Sequence, residues 1–417
     1  MIGAHEGHSG GVGPNRVNAM SGGAGLVADA AEARIRPKQL TCRCVAATTF
    51  GAYSLMINTG FTGKLLDRYL ASGWYRMGPR MFTCRYNFYP NGFLTTVWTR
   101  LPLAGHTPPK RIRKLLRRNG RDFRVEVHRA RAHAAEEAVF AAYRASRDYD
   151  LHSSAAHYLR HDPEVPFETW QVSVYDGDRL AAFSYFDRGA TALQSVCGYY
   201  DPAYERYSPG LYTLALEVEQ AAAWGMAYHY AGYIVPGNEI FEYKRRVGAL
   251  EAFDDVTRAW YPLADLDVDE LPDAAQRAAL LEYDALYRRR GLGYGLRFRP
   301  NVQIPFGREG LSWLRREQLP FCVVDDASLR QPFWGAHFYS FNHRRYFSLL
   351  CTNAHGEDYE FDPGALAGQI NPGTGIAVEC IQYATQPFTE RHLERAAHAV
   401  ARANAFARDI RNATPGR

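Results

Sequence analysis

Residues 192–235 read "ALQSVCGYYDPAYERYSPGLYTLALEVEQAAAWGMAYHYAGYIV". The first nine residues make a strand, and Asp201-Pro202 stops it. Ser208 suits a helix N-cap and Pro209 a first helical turn. Leu211, Leu214, Ala215 and Val218 then recur at helical spacing, and Gly225 is the exit. Residues 226–235, "MAYHYAGYIV", resume as a strand.

Upstream, "AAEEAVFAAYRASRDY" (134–149) reads as a helix, and "WQVSVYDGDRLAAFSYFD" (170–187) as a hairpin turning at Asp176-Gly177. From 170 to 235 the order is therefore strand, strand, strand, helix, strand. That is the core order of the acyltransferase fold shared by acetyltransferases and aminoacyltransferases, although many α/β units have it too. In that fold the acyl donor lies in a notch where two neighbouring strands splay apart. The helix between them offers free backbone N–H groups at its start.

Working outward, 417 residues predict two or three domains. Residues 1–38 are rich in Gly and Ala without an apolar core, and we expect a disordered tail. Residues 39–127 form an N-terminal unit, with a helix in "FTGKLLDRYLASGWYR" (61–76), a strand in "FLTTVWTRLPL" (93–103) and another in "DFRVEVHRA" (122–130). Residues 128–263 hold the GNAT-like core. Residues 264–417 form a C-terminal β-rich unit. It opens with a helical stretch at 265–290 and is closed by a helix in "TERHLERAAHAVARANAFARDI" (389–410). The expected class is α/β (α+β). No apolar run is long enough to span a bilayer. Seven cysteines without a dense framework suit a reducing cytoplasm.

The net charge is only +5, so local clusters say more about partners than the total does. The sharpest cluster is "HTPPKRIRKLLRRNGRDF" (106–123). Thr107 is its expected cap, Pro108 its first helical residue, and Asn119-Gly120 its exit. Ile112, Leu115 and Leu116 make a narrow apolar face. Lys110, Arg111, Arg113, Lys114, Arg117 and Arg118 surround it. Such a face can follow a phosphate backbone with salt-sensitive, sequence-blind affinity. A solvated helix or a targeting signal would show the same run.

Residues 198–246 resemble the aminoacyl-tRNA–protein transferases, meaning the arginyl-transferases and the related bacterial leucyl-transferases. The similar elements are Tyr200-Asp201-Pro202, Ser208-x-Gly210-x-Tyr212, Tyr230-x-Gly232-Tyr233 and Tyr243-Lys244. The basic segment and "LLDRYLASGWYRMG" (65–78) fit as well, so the resemblance covers about residues 42–251. The sequence departs from the family in two places. Of the family's N-terminal cysteine cluster only Cys84 stands at the usual place, with Cys42 and Cys44 upstream. Three cysteines with C-x-C spacing are a poor metal or iron–sulfur set, and we expect structural or free thiols. The unit at 264–417 has no counterpart in the family.

The resemblance implies transfer of an amino acid from an aminoacyl-tRNA to the N-terminal amine of a protein or peptide. The donor ester is already activated, so no cofactor and no metal are expected; the partners are tRNA and a protein with a free N-terminus. By resemblance, Asp201, Tyr233, Tyr243 and Lys244 are catalytic candidates. Tyr200, Ser208, Gly210, Tyr212, Tyr230 and Gly232 would bind substrate, and the six basic residues of 110–118 would bind tRNA. Asp201, His229 or Glu242 could take the proton. Each has a plainer reading: Asp201 as a turn former, His229 as a packed residue, Lys244 as a surface lysine. Tyr230 and Tyr233 fall on opposite faces of an ideal strand unless a bulge intervenes. Glu217 and Glu219 read as helix-surface residues. An acetyl-CoA-dependent acetyltransferase is the first alternative, weakened because Gly210 arrives one residue late after Arg206 for a pyrophosphate loop. A non-catalytic RNA- or protein-binding adaptor is the second.

Overall fold

The computed structural model describes residues 52–56, 62–78, 80–89, 92–147, 151–159, 167–298, 302–303, 318–325, 331–353, 375–385 and 387–413. The expected tail, Cys42 and Cys44 lie outside them.

The chain begins with β1 (Ala52–Met56) and α1 (Gly63–Ala71). Thr62 caps α1 by accepting the Leu65 N–H at 3.3 Å, and Gly73 leaves it at φ +76°. β2 (Tyr75–Met77) and β3 (Arg80–Cys84) complete a small sheet in the order β1-β3-β2. β4 (Tyr86–Tyr89) and β5 (Gly92–Thr95) pair as a hairpin, and β6 (Val97–Pro102) follows. The single strand expected at 93–103 is thus two strands. Thr96 breaks it by giving its N–H to the Arg85 carbonyl and its hydroxyl to the Cys84 carbonyl.

Next come α2 (Lys110–Asp122), β7 (Arg124–Arg129), α3 (Ala134–Ala145), β8 (Thr169–Asp176), β9 (Arg179–Arg188) and β10 (Ala192–Tyr200). Then follow α4 (Pro209–Ala223), β11 (Tyr228–Ile234), α5 (Glu239–Glu242), a 3-10 turn at Tyr243–Val247, β12 (Glu251–Asp254) and β13 (Ala259–Pro262). One eight-stranded sheet runs β13-β12-β6-β11-β10-β9-β8-β7. β6 and β7 come from the N-terminal unit, so no break in the sheet falls at residue 127.

The strand–strand–strand–helix–strand core is present: β8, β9 and β10 are antiparallel, and β11 returns parallel to β10 after α4. The fold is α/β with a GNAT-like core. α2 and α4 cover one face through Leu115, Phe123 and Tyr212, against Val172, Val174, Phe186 and Leu193. Val139 and Phe140 of α3 pack on Phe183, Tyr185 and Tyr199 of the other face. Burying such a side chain stabilises by about 1.5–3 kcal/mol. The small sheet is locked on by Arg76, 1% exposed, whose guanidinium grips both carboxylate oxygens of the fully buried Asp187.

In the C-terminal unit α6 spans Pro272–Arg290, seven residues later than the expected start. Before it the chain makes 3-10 turns at Leu263–Asp265 and Val268–Glu270, and Pro272 opens the helix. β14 (Tyr294–Phe298), β15 (Val302–Gln303), β16 (Phe321–Asp325), β17 (Phe333–Ser340), β18 (Arg345–Asn353) and β19 (Gly375–Thr385) form a sheet ordered β14-β16-β17-β18-β19-β15, closed by α7 (Glu390–Ala413). The β4–β5 hairpin inserts Tyr86 and Phe93 into this unit's core, beside Tyr283, Tyr287 and Phe321.

Candidate active site

β10 and β11 pair only at their starts, Ala192 with Tyr228, Leu193 with His229 and Gln194 with Tyr230. Beyond Gln194 they separate. β10 stays paired with β9 as far as Tyr200, with a bulge between Ser195 and Cys197. β11 stays paired with β6 as far as Ile234, with a bulge between His229 and Gly232. Two bulges on adjacent strands bend them apart. Gly198 is accordingly exposed although its strand lies in the middle of the sheet. The result is a V-shaped notch with backbone groups along one arm and the first turn of α4 at its mouth.

Lys244 reaches back onto the β11 arm. Its Nζ donates to the Tyr233 carbonyl at 2.9 Å and lies 5.5 Å from the Tyr233 ring centre. Gly232 makes room. Its φ is +84°, and a Cβ there would stand 3.1 Å from the ammonium. Burial lowers the Lys244 pKa to about 8, while the Glu217 carboxylate pulls the other way. Burial also pushes the Tyr243 phenol up, with negative charge from Tyr143, Glu217 and Tyr200 adding to it.

Glu217 and His229 lie beneath the notch. Glu217 is 1% exposed and His229 is fully buried, and Glu217 Oε2 stands 3.3 Å from His229 Nε2. Glu217 is therefore not the helix-surface residue expected. α4 is covered from several sides, with Tyr212, Thr213, Leu214, Ala215, Glu217, Val218 and Ala221 all buried. The signal for this is in the sequence: Glu217 falls one turn after Leu214 and one turn before Ala221, inside the apolar stripe. Glu219 is exposed.

The basic helix lies beside the same mouth. All six basic candidates for tRNA binding on α2 are exposed, while Ile112, Leu115 and Asn119 are buried. Asn119 donates from Nδ2 to the Tyr207 carbonyl at 2.9 Å, and Arg118 reaches the same oxygen at 3.2 Å. Tyr207 immediately precedes Ser208, the N-cap of α4. Asn119-Gly120 does not end the helix, as expected from its turn chemistry. The Asn119 side chain is held by Tyr207, its carbonyl accepts the Phe123 N–H, and α2 runs on to Asp122. Nor do Thr107 and Pro108 start it: the N-cap position is Pro109.

The other candidates separate into groups. Tyr200 stands at the notch mouth, accepting from Arg147 at 2.6 Å, with its ring 3.8 Å from the site of a Cβ on Gly210. Ser208 holds the N-cap position in a left-handed conformation, φ 53°, but its hydroxyl makes no capping bond. Tyr212 is buried under α2, its hydroxyl facing Gly120, and packs the scaffold. Tyr230 is 1% exposed and packs with Tyr75, Trp98 and Phe253. Tyr233 leans on Trp98 too, at 5.1 Å, so the bulge at Gly232 brings both tyrosines into one aromatic cluster. Asp201 caps the following 3-10 turn and is ion-paired with Arg179, and Glu242 is paired with Arg245. Asp201 fits the turn-former reading, and Glu242 is half-buried and held by Arg245. Among the described residues Cys84 is a free thiol. Among the described residues no group of three or more His, Cys, Asp or Glu is placed to hold a metal, and no helix is long and apolar enough to cross a membrane.

Known proteins share this region. Residues 134–254 match the family described as arginine-tRNA-protein transferase, C terminus. An aspartate/glutamate leucyltransferase of Gluconacetobacter diazotrophicus is 28% identical over 184 residues, covering 43% of this chain and 68% of its own. One of Shewanella sp. (strain MR-7) is 28% identical over 193 residues, covering 43% and 75%. Among solved structures, a GCN5-related N-acetyltransferase from Kribbella flavida covers 41% of this chain and 57% of its own, at 13% identity and a TM-score of 0.23. L-PGS from Bacillus licheniformis covers 36% and 47%, at 12% identity and a TM-score of 0.27. Overlaps that slight carry no weight beside the strand order itself. Through the segment holding the notch, the chain is similar to the aminoacyl-tRNA–protein transferases.

Proposed function

We propose that this protein transfers an amino acid from an aminoacyl-tRNA to the N-terminal amine of a protein or peptide. The supporting observation is the Asn119–Tyr207 bond, which fixes a cationic helix against the mouth of an open β-strand notch.

The six exposed Lys and Arg side chains of α2 track the RNA backbone, and the esterified terminus enters between β10 and β11. The free backbone of β10 beyond Gln194 and the first turn of α4 supply N–H groups where the oxyanion develops. Lys244, with its pKa lowered to about 8, takes a proton from the acceptor ammonium. The amine nitrogen then bonds to the ester carbon, and the carbonyl pair moves onto oxygen. On collapse the C–O bond to the ribose breaks, and the ribose oxygen leaves with the second amine proton. Holding the two reactants at near-attack distance supplies much of the acceleration.

The test is a panel of individually labelled aminoacyl-tRNAs offered with peptides of defined N-terminus. Label entering peptide from one charged tRNA, and none from acetyl-CoA, is the expected result. Acetyl transfer without aminoacyl transfer would replace this proposal with the acetyltransferase. RNA binding without any transfer would replace it with an adaptor.

A further inference from the structure

Aminoacyl transfer from an ester to an ammonium releases one net proton per turnover, which Lys244 must lose before the next. Two fully buried side chains lie beneath that notch, each with an orphaned polar atom. Among the described residues, Glu217 Oε1 and His229 Nδ1 have no hydrogen-bond partner. Native interiors leave few such atoms unsatisfied, and each asks for an explanation. A third orphan, Nε2 of the half-buried His106, continues the line outward.

The geometry points to Glu217, His229 and His106 as a proton exit that empties Lys244 after each transfer; this rests on the function proposed above. From Lys244 the proton passes to the Glu217 carboxylate, across 3.3 Å to His229, and on to His106 and solvent. No bond other than N–H and O–H changes, and no electrons are transferred. Glu217 is the hub. It contacts His229 on β11, and its charge acts on Cys197 of β10 and on Tyr243 and Lys244 of the turn after α5. Lys244 bonds the Tyr233 carbonyl and feels the Glu217 charge, while its neighbour Arg245 is paired with Glu242. His106 packs against Gly248, where a Cβ would meet its ring at 2.7 Å, and burial and the His229 charge both lower its pKa. A neutral imidazole can accept a proton at one ring nitrogen and give one up from the other.

None of the three touches the reacting atoms, so they are positioning and relay residues, and the test must separate them from mere packing. In Glu217→Gln the carboxylate that holds the proton on Lys244 is gone. The pH at which Lys244 becomes reactive to reductive methylation should fall by about one unit, with no turnover required. The acid limb of the transfer rate should move with it. In His106→Ala the transfer rate should drop by about tenfold, and millimolar imidazole should restore it. Should Glu217→Gln lose its folded circular dichroism spectrum, His106→Ala decides alone. An unmoved Lys244 titration, or a His106→Ala rate that imidazole leaves unchanged, overturns the exit. Wild-type protein that transfers nothing from any charged tRNA overturns the proposed function instead, and leaves the Lys244 titration to report on the coupling.

Discussion

Asn119, on the cationic helix, and Tyr207, at the entrance to α4, are joined by a 2.9 Å hydrogen bond between residues 88 positions apart. The helix is aligned by that buried amide and by Phe123, which meets Tyr207 edge-on at 4.9 Å. Charge on α2 then becomes useful only where it is pointed. Asn119→Ala should cost about 0.5–1.5 kcal/mol of stability, the net loss expected for one hydrogen bond whose acceptor keeps Arg118. It should weaken donor binding although no charge has changed. Urea unfolding and tRNA titration of the same variant check both parts. Normal tRNA affinity in a destabilised variant would show that the alignment does not matter.

Arg113 and Arg117 are exposed one turn apart on α2, and neither has an acidic partner among the described ion pairs. Reversing both to Glu should lower tRNA affinity and flatten its salt dependence. The slope of log affinity against log salt should shrink by about 0.7–0.9 for each phosphate that is no longer neutralised. Affinity and slope matching the wild type would move the RNA site off this helix.

Gly232 answers two demands at once, a positive φ and the close approach of Lys244. Gly232→Ala should destabilise by about 1–2 kcal/mol through its left-handed backbone. Its activity should fall much further, because the new methyl displaces the ammonium from the Tyr233 carbonyl. Transfer rates measured well below the melting temperature separate the two effects. A variant as active as its folded fraction allows would remove Lys244 from the chemistry.

Residues 170–235 are legible because alternation, helical spacing and turn residues agree along the chain. The hairpin at Asp176-Gly177 and the helix from Pro209 are where the sequence places them. What is not legible depends on distant partners. Asn119-Gly120 has the composition of a helix exit, and only the Tyr207 carbonyl explains why α2 continues past it. Thr96 breaks a strand by bonding to the carbonyls of Cys84, at the end of β3, and of Arg85 just after it, partners that local spacing says nothing about. The tyrosine spacing leaves a bulge at Gly232 open, because register is a property of the β6 pairing. Glu217 misleads because its charge outweighs its position: its place in the apolar stripe speaks for burial.

Lys244 also sets a sign for stability against pH. Its folded pKa is lowered from 10.5 to about 8 by burial. A depressed pKa means that its contribution is fully present above the unfolded pKa and is lost as pH falls from about 10.5 through about 8. At pH 7 the folded protein therefore holds a lysine charged in a place that disfavours charge. Lys244→Met removes that cost together with the bond to the Tyr233 carbonyl. The difference in melting temperature, variant minus wild type, should be more positive at pH 7 than at pH 10, while aminoacyl transfer is lost at both. Calorimetry at the two pH values reads the sign directly. A difference independent of pH would mean that Lys244 titrates alike in the folded and unfolded chain, and so is no better a base than any surface lysine.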